Sequence, residues 1–89
     1  MTEKQVQITN RLGLHARAAA RFVQLANRFC SRITVVKEDS KVDGKSILGL
    51  LTLAAAKGSR LKLAADGSDE DEAVEQLVEL VHDRFGEQE

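Results

Sequence analysis

Apolar residues along this chain follow two alternating periods. Val6 and Ile8 alternate with Gln5, Gln7 and Thr9, the two-residue repeat of a strand with one buried face. From Ala16 to Phe29 there is no glycine or proline, alanine is frequent, and Phe22, Val23, Ala26 and Phe29 fall near one helical face. Arg32 to Lys37 is rich in β-branched residues and reads as a second strand. Beyond the polar turn Glu38-Asp39-Ser40, Lys41-Val42-Asp43 forms a short third strand paired as a hairpin. Ser46 is placed to cap a helix from Ile47 to about Ala55, which buries Leu50, Leu53 and Ala54 and ends at Lys57-Gly58-Ser59. Gly49 inside that helix costs about 1 kcal/mol relative to alanine, so the helix is short and held by its context. Arg60 to Asp66 sets Leu61, Leu63 and Ala65 against Arg60, Lys62 and Ala64, giving a last strand with one buried face. Asp66-Gly67 turns the chain, and Ser68 or Asp69 caps a final helix whose first turn is acidic. Its stripe is Val74, Leu77, Val78, Val81 and Phe85, and Gly86 stops it.

The order β-α-β-β-α-β-α, with one-sided strands and amphipathic helices, implies an α+β fold in which helices cover one face of an antiparallel sheet and leave the other open. Eighty-nine residues without repeat or linker predict a single domain spanning 1–89, large enough for one modest core and a surface site but not for an enclosed cleft. Composition narrows the function. Hydrophobic residues at 43% and charged ones at 30% are those of a soluble globular protein and argue against disorder across the chain. A net charge of -1 and only three aromatic residues, all phenylalanine, argue against a nucleic-acid binder. No apolar run is long enough for membrane insertion, and Thr2-Glu3-Lys4 lacks the apolar core of a signal peptide, so the expected location is cytoplasmic. Cys30 stands alone between helix and strand and is expected as a small buried hydrophobe. His82, without neighbours at ligand spacing, is expected as a solvated helix residue; no metal and no cofactor are implied.

The chemistry is placed where the first strand pattern stops and the first helical pattern begins, at Gly13-Leu14-His15-Ala16-Arg17. Asn10 to Gly13 is a turn, so His15 stands at a helix N-terminus, where unpaired N–H groups and aligned peptide dipoles favour an anion. An imidazole there is expected as the neutral nucleophile, and Arg17, one turn inside, can offer a planar fork of donors to an anion carried on it. These parts suit a histidine that accepts a phosphoryl group and gives it away; the bland reading is a turn histidine beside a solvated arginine. Ser46 needs no more than its capping role, yet a phosphate on a helix N-terminal serine would be favoured by the same N–H groups. Ile47, Leu48 and Leu51 lie on a different face from Leu50, Leu53 and Ala54 and are expected, with Ala20, to form a partner surface.

Gly13-Leu14-His15-Ala16-Arg17, followed by alanine-rich sequence, resembles the active-site signature of the HPr family, the histidine-containing phosphocarriers of the bacterial phosphotransferase system. Lys45-Ser46-Ile47-Leu48-Gly49-Leu50 is similar to that family's regulatory serine segment. The resemblance covers essentially the whole chain. It implies an open-faced β-sandwich with strand order 1-4-2-3 and three helices on one face. It further implies a monomer that is not itself an enzyme, takes a phosphoryl group from enzyme I on Nδ1 of His15 and passes it to enzyme IIA domains. Ser46 is implied as the target of an HPr kinase/phosphorylase, where the source organism has one. Ala18 stands where the family signature has proline, which gives up a pre-set φ, adds one N–H at the phosphate end and is expected to alter positioning or transfer rate. The alternative reading is a regulatory binding module for carbon or nitrogen control, switched by phosphorylation and serving no sugar flux.

Overall fold

The computed structural model describes residues 1–89. Four strands, β1 (Thr2–Gln7), β2 (Arg32–Lys37), β3 (Ser40–Asp43) and β4 (Arg60–Asp66), alternate with helices α1 (Ala16–Ala26), α2 (Ile47–Thr52) and α3 (Glu70–His82), and a final turn follows at Arg84–Gly86. The strands form one antiparallel sheet in the order β1-β4-β2-β3. Register puts Val6 beside Leu61, Leu63 beside Val35 and Val35 beside Val42, so one face of the sheet is continuously apolar. The helices cover that face: α3 lies against β1 and β4, and α1 lies against α2 and α3. The core between the layers joins Ile33, Val35 and Leu63 of the sheet to Phe22, Leu50, Leu77, Val81 and Phe85. Polar residues such as Glu3, Gln5 and Lys62 hold the other face, which gives the expected open-faced sandwich.

Element ends differ from the periodic reading where tertiary contacts claim the backbone. The first helix stops at Ala26 because the N–H groups of Arg28 and Phe29 turn to the carbonyls three residues back; Phe29 is still buried. The second helix ends at Thr52, not near Ala55. Ala54 enters the left-handed region at φ 49° and is exposed, so the expectation that it is buried fails, and Ala55 is the buried alanine. The cation at this helix end comes from β2: Nζ of Lys37 donates to the carbonyls of Leu53 and Ala54 at 3.1 and 3.3 Å. Gly58, at φ 93°, instead shapes the entry to β4, its N–H donating to Ile8 and extending the β1 ladder past Gln7. Phe85 reaches the core not by helical periodicity but because Arg84 and Phe85 both turn left-handed, at φ 56° and 54°, after α3 has ended. No helix is long and apolar enough to cross a membrane.

Asp69 precedes α3 without capping it through its side chain. Its carboxylate instead accepts from the Ser31 hydroxyl at 2.5 Å, from the Ser31 N–H at 3.0 Å and from the Cys30 N–H at 2.8 Å, tying the α1–β2 loop to the start of α3. Cys30 is exposed, contrary to expectation, because its backbone rather than its thiol serves the packing. The Ser31 hydroxyl, followed by the Cys30 N–H, holds the Asp69 carboxyl below its ordinary range. A carboxyl whose folded-state value is depressed adds stability above its unfolded pKa, and that stability is lost as pH falls through the folded value. In a carboxyl 13C titration Asp69 is expected to titrate below an ordinary aspartate, and Ser31→Ala should raise its midpoint and shrink the acid-sensitive part of the stability.

Candidate functional site

The turn between β1 and α1 is built on a buried asparagine and a glycine with no room for a side chain. Asn10 is fully buried, and its Nδ2 donates to the Gly13 carbonyl at 2.8 Å, closing the turn. Gly13 sits at φ 69°, and a Cβ there would lie 2.5 Å from the Ala55 carbonyl oxygen. That carbonyl accepts the Leu14 N–H at 2.9 Å, so the turn is held against the chain leaving α2. These contacts deliver His15 in extended conformation, φ -82° and ψ -179°, as the residue that caps α1 with its backbone while its side chain stays free of capping. Its carbonyl accepts the Ala19 N–H at 2.8 Å, and the amides of the intervening first turn have no intrahelical acceptor. The histidine is thus where the sequence places it.

Its surroundings are not. The imidazole Nε2 lies 2.5 Å from Oε2 of Glu87, and Oε1 of the same carboxylate accepts from Asn10 Nδ2 at 2.8 Å. The Asn10 hydrogen bond, with smaller contributions from His15 and the charge of Arg17, holds the Glu87 carboxyl below its ordinary range despite partial desolvation. Around this pair, Arg11, Leu12, Arg17, Arg21 and the segment Gly86–Glu89 line an open cavity of about 340 Å³. Arg11 pairs with Glu89 at 2.9 Å, and Arg21 donates to the Phe85 carbonyl. Arg17 is exposed on the cavity wall and acts on Glu87 through charge. The sequence places Asn10 only at the start of the turn and gives Arg11, Arg21 and Glu87 no part in the site. Glu87 lies 72 residues from His15, and the only local trace of its approach is the apolar Phe85 preceding it.

The second predicted segment forms as expected. Ser46 is the N-cap of α2, and its Oγ accepts the Gly49 N–H at 3.0 Å. Leu50 and Leu53 are buried, while Ile47, Leu48 and Leu51 are 42%, 67% and 39% exposed; Leu12, at 52%, adds a fourth exposed apolar side chain. Ala20, on α1, is half-buried. His82 is exposed, and no group of three or more acidic, histidine or cysteine side chains could hold a metal ion.

Fold and site together define a class: a small open-faced α+β sandwich that presents one histidine at a helix N-terminus on its surface, with an open cavity lined by three arginines and two glutamates beside it. Residues 2–83 match the family model described as the PTS HPr component phosphorylation site. The chain is 51% identical over 87 residues, 98% of each chain, to the phosphocarrier protein HPr of Neisseria meningitidis serogroup A. It is 49% identical over 81 residues, 91% of this chain and 96% of the relative, to the HPr-like protein Crh of Halalkalibacterium halodurans. Among solved structures, HPr-C-His from Thermoanaerobacter tengcongensis superposes with a TM-score of 0.96 at 47% identity over the full length of both chains. An HPr dimer from the same organism gives 0.78 at 48% identity, over 98% of this chain and 100% of the other. The chain belongs to the HPr family of phosphocarrier proteins of the phosphotransferase system.

The Gly13 geometry is directly testable. Gly13→Ala forces a side chain into the left-handed region and against the Ala55 carbonyl. It is expected to lower the unfolding free energy by roughly 2–4 kcal/mol in denaturant titration and to broaden the His15 ring resonances.

Proposed function

We propose that residues 1–89 act as one HPr-like domain that carries a phosphoryl group on His15 from the phosphohistidine of enzyme I to an enzyme IIA domain, in the cytoplasm. The observation that supports this most is the position of His15: a partly exposed imidazole at the start of α1, beside first-turn amides with no intrahelical partner and against Glu87, on which the charge of Arg17 also acts. Phosphoryl transfer asks little covalent chemistry of a protein and mostly positioning and charge stabilisation. Here the α1 amides and the Arg17 guanidinium supply the charge stabilisation, and the open site lets donor and acceptor reach the same nitrogen in turn. The protein is a covalent intermediate in the relay rather than a catalyst. Ala18 in place of proline leaves one additional N–H in the first turn, directed at the anion end.

Exposed Ile47, Leu48 and Leu51, with Ala20 of α1, supply the docking surface for these partners. Ser46 stands at its edge, so a phosphate added there by an HPr kinase/phosphorylase places nearly two negative charges beside an apolar patch and opposes docking of an acidic partner. The likeness to Crh gives the second reading its footing, a regulatory module acting through this same surface. The histidine with its surrounding polar groups favours the carrier.

Incubation with phosphoenolpyruvate and enzyme I should add one acid-labile phosphoryl group by intact mass, and His15→Ala should abolish it; no uptake by the unaltered protein with active enzyme I would exclude the carrier role. Ser46→Asp keeps a capping oxygen and adds charge, so the melting temperature should change little while KM for transfer from enzyme I rises about tenfold or more.

A further inference from the structure

A carboxylate only accepts hydrogen bonds, so the contact of Glu87 Oε2 with His15 Nε2 requires the hydrogen to be on Nε2. In the neutral ring the lone pair then belongs to Nδ1. The carboxylate is not free to choose another partner. Its other oxygen is bound by the side chain of Asn10, which is itself fully buried and fixed by its second bond to the Gly13 carbonyl. Glu87 is 14% exposed by side chain, and it turns to the imidazole although Arg11, Arg17 and Arg21 all line the adjoining cavity. A residue serving only to fasten the chain after α3 would be as well satisfied by one of those guanidiniums, as Glu89 is by Arg11.

We infer that Glu87, held by Asn10, is a positioning residue for the transfer: it fixes His15 in the tautomer with Nε2 protonated and presents the Nδ1 lone pair to the incoming phosphorus. The inference rests on the carrier reading. The Nδ1 pair forms the new N–P bond as the bond from phosphorus to the donor nitrogen breaks, and the donor keeps that electron pair. Nε2 retains its hydrogen throughout, so no proton has to move within this protein, and the phosphorylated ring carries a positive charge directly facing the Glu87 carboxylate. On transfer to the acceptor the pair returns to Nδ1. The carboxylate therefore stabilises the ring charge that develops with the bond, the role an orienting carboxylate plays toward a catalytic imidazole.

Two measurements on Glu87→Ala and Glu87→Gln test this. Long-range 1H–15N correlation of the His15 ring, recorded in alkaline solution where the ring is neutral, should show a hydrogen-bearing Nε2 and a pyridine-type Nδ1 in the unaltered protein. Glu87→Ala should shift these resonances toward a tautomer mixture, while Glu87→Gln, which keeps an accepting oxygen, should hold the tautomer. In phosphoryl uptake from enzyme I, both variants should lose kcat about tenfold with KM unchanged, a split that loosening of the chain end alone would not produce. The inference is overturned if the unaltered protein carries its ring hydrogen on Nδ1, or if Glu87→Ala leaves both the ring resonances and kcat unchanged. The tautomer is read without any partner, so absence of uptake by the unaltered protein would count against the carrier role while leaving this result to stand or fall separately.

Discussion

The hydrogen bond from the Leu14 N–H to the Ala55 carbonyl joins the two parts of the proposed functional surface. On one side it fixes the turn that places His15 at the head of α1, and on the other it fixes the chain that has just left α2 with its exposed apolar side chains. Both groups sit between buried residues, Leu14 at 6% and Ala55 at 3% exposure, so leaving either unpaired would cost a desolvation penalty of about 1–3 kcal/mol. The contact is close enough that position 13 admits only glycine without movement of the Ala55–Ala56 backbone. A helix that by its own pattern would run on to Ala55 gives up its last residues, and Ala54 takes a left-handed conformation, so that this carbonyl can point at the turn.

The candidate site is built on the surface, without a cleft. Its sheet has one buried face, and the helices use that face for the core, so the ends of α1 and α2 and the loops beside them are what remains for chemistry. Exposure suits the proposed carrier role, in which the imidazole meets a donor and an acceptor in succession. Orientation then has to come from a few fixed polar contacts rather than from enclosure, and the buried Asn10 side chain is the fixed point from which Gly13 and Glu87 are both held.

Charge balance around the histidine follows the same economy. Arg11, Arg17 and Arg21 would form a strongly positive pocket by themselves. Glu87 and Glu89 offset them, with Arg11 paired to Glu89 and Arg21 bound to a carbonyl, while Arg17 stays exposed on the cavity wall and acts on Glu87 through its charge. The imidazole thus stands at the positive end of the α1 dipole with a carboxylate against its Nε2 edge.

The sequence by itself determined the order of elements, the one-sided strands, the position of His15 at the start of a helix, the capping role of Ser46 and the exposed set Ile47, Leu48 and Leu51. Each of these depends on residues within about one or two turns of each other, where periodicity and capping chemistry act; the HPr resemblance supplied the strand order, which no local pattern encodes. Tertiary structure alone decided that Cys30 is exposed, that Asp69 serves the α1–β2 loop instead of its own helix, that α2 stops at Thr52, and that Glu87 reaches His15. In every one of these cases the deciding partner is distant in sequence, and the backbone or side chain yields its local preference to satisfy a buried polar group or to seat an apolar one, as the left-handed turn at Arg84 and Phe85 does in carrying Phe85 into the core and Glu87 to the imidazole.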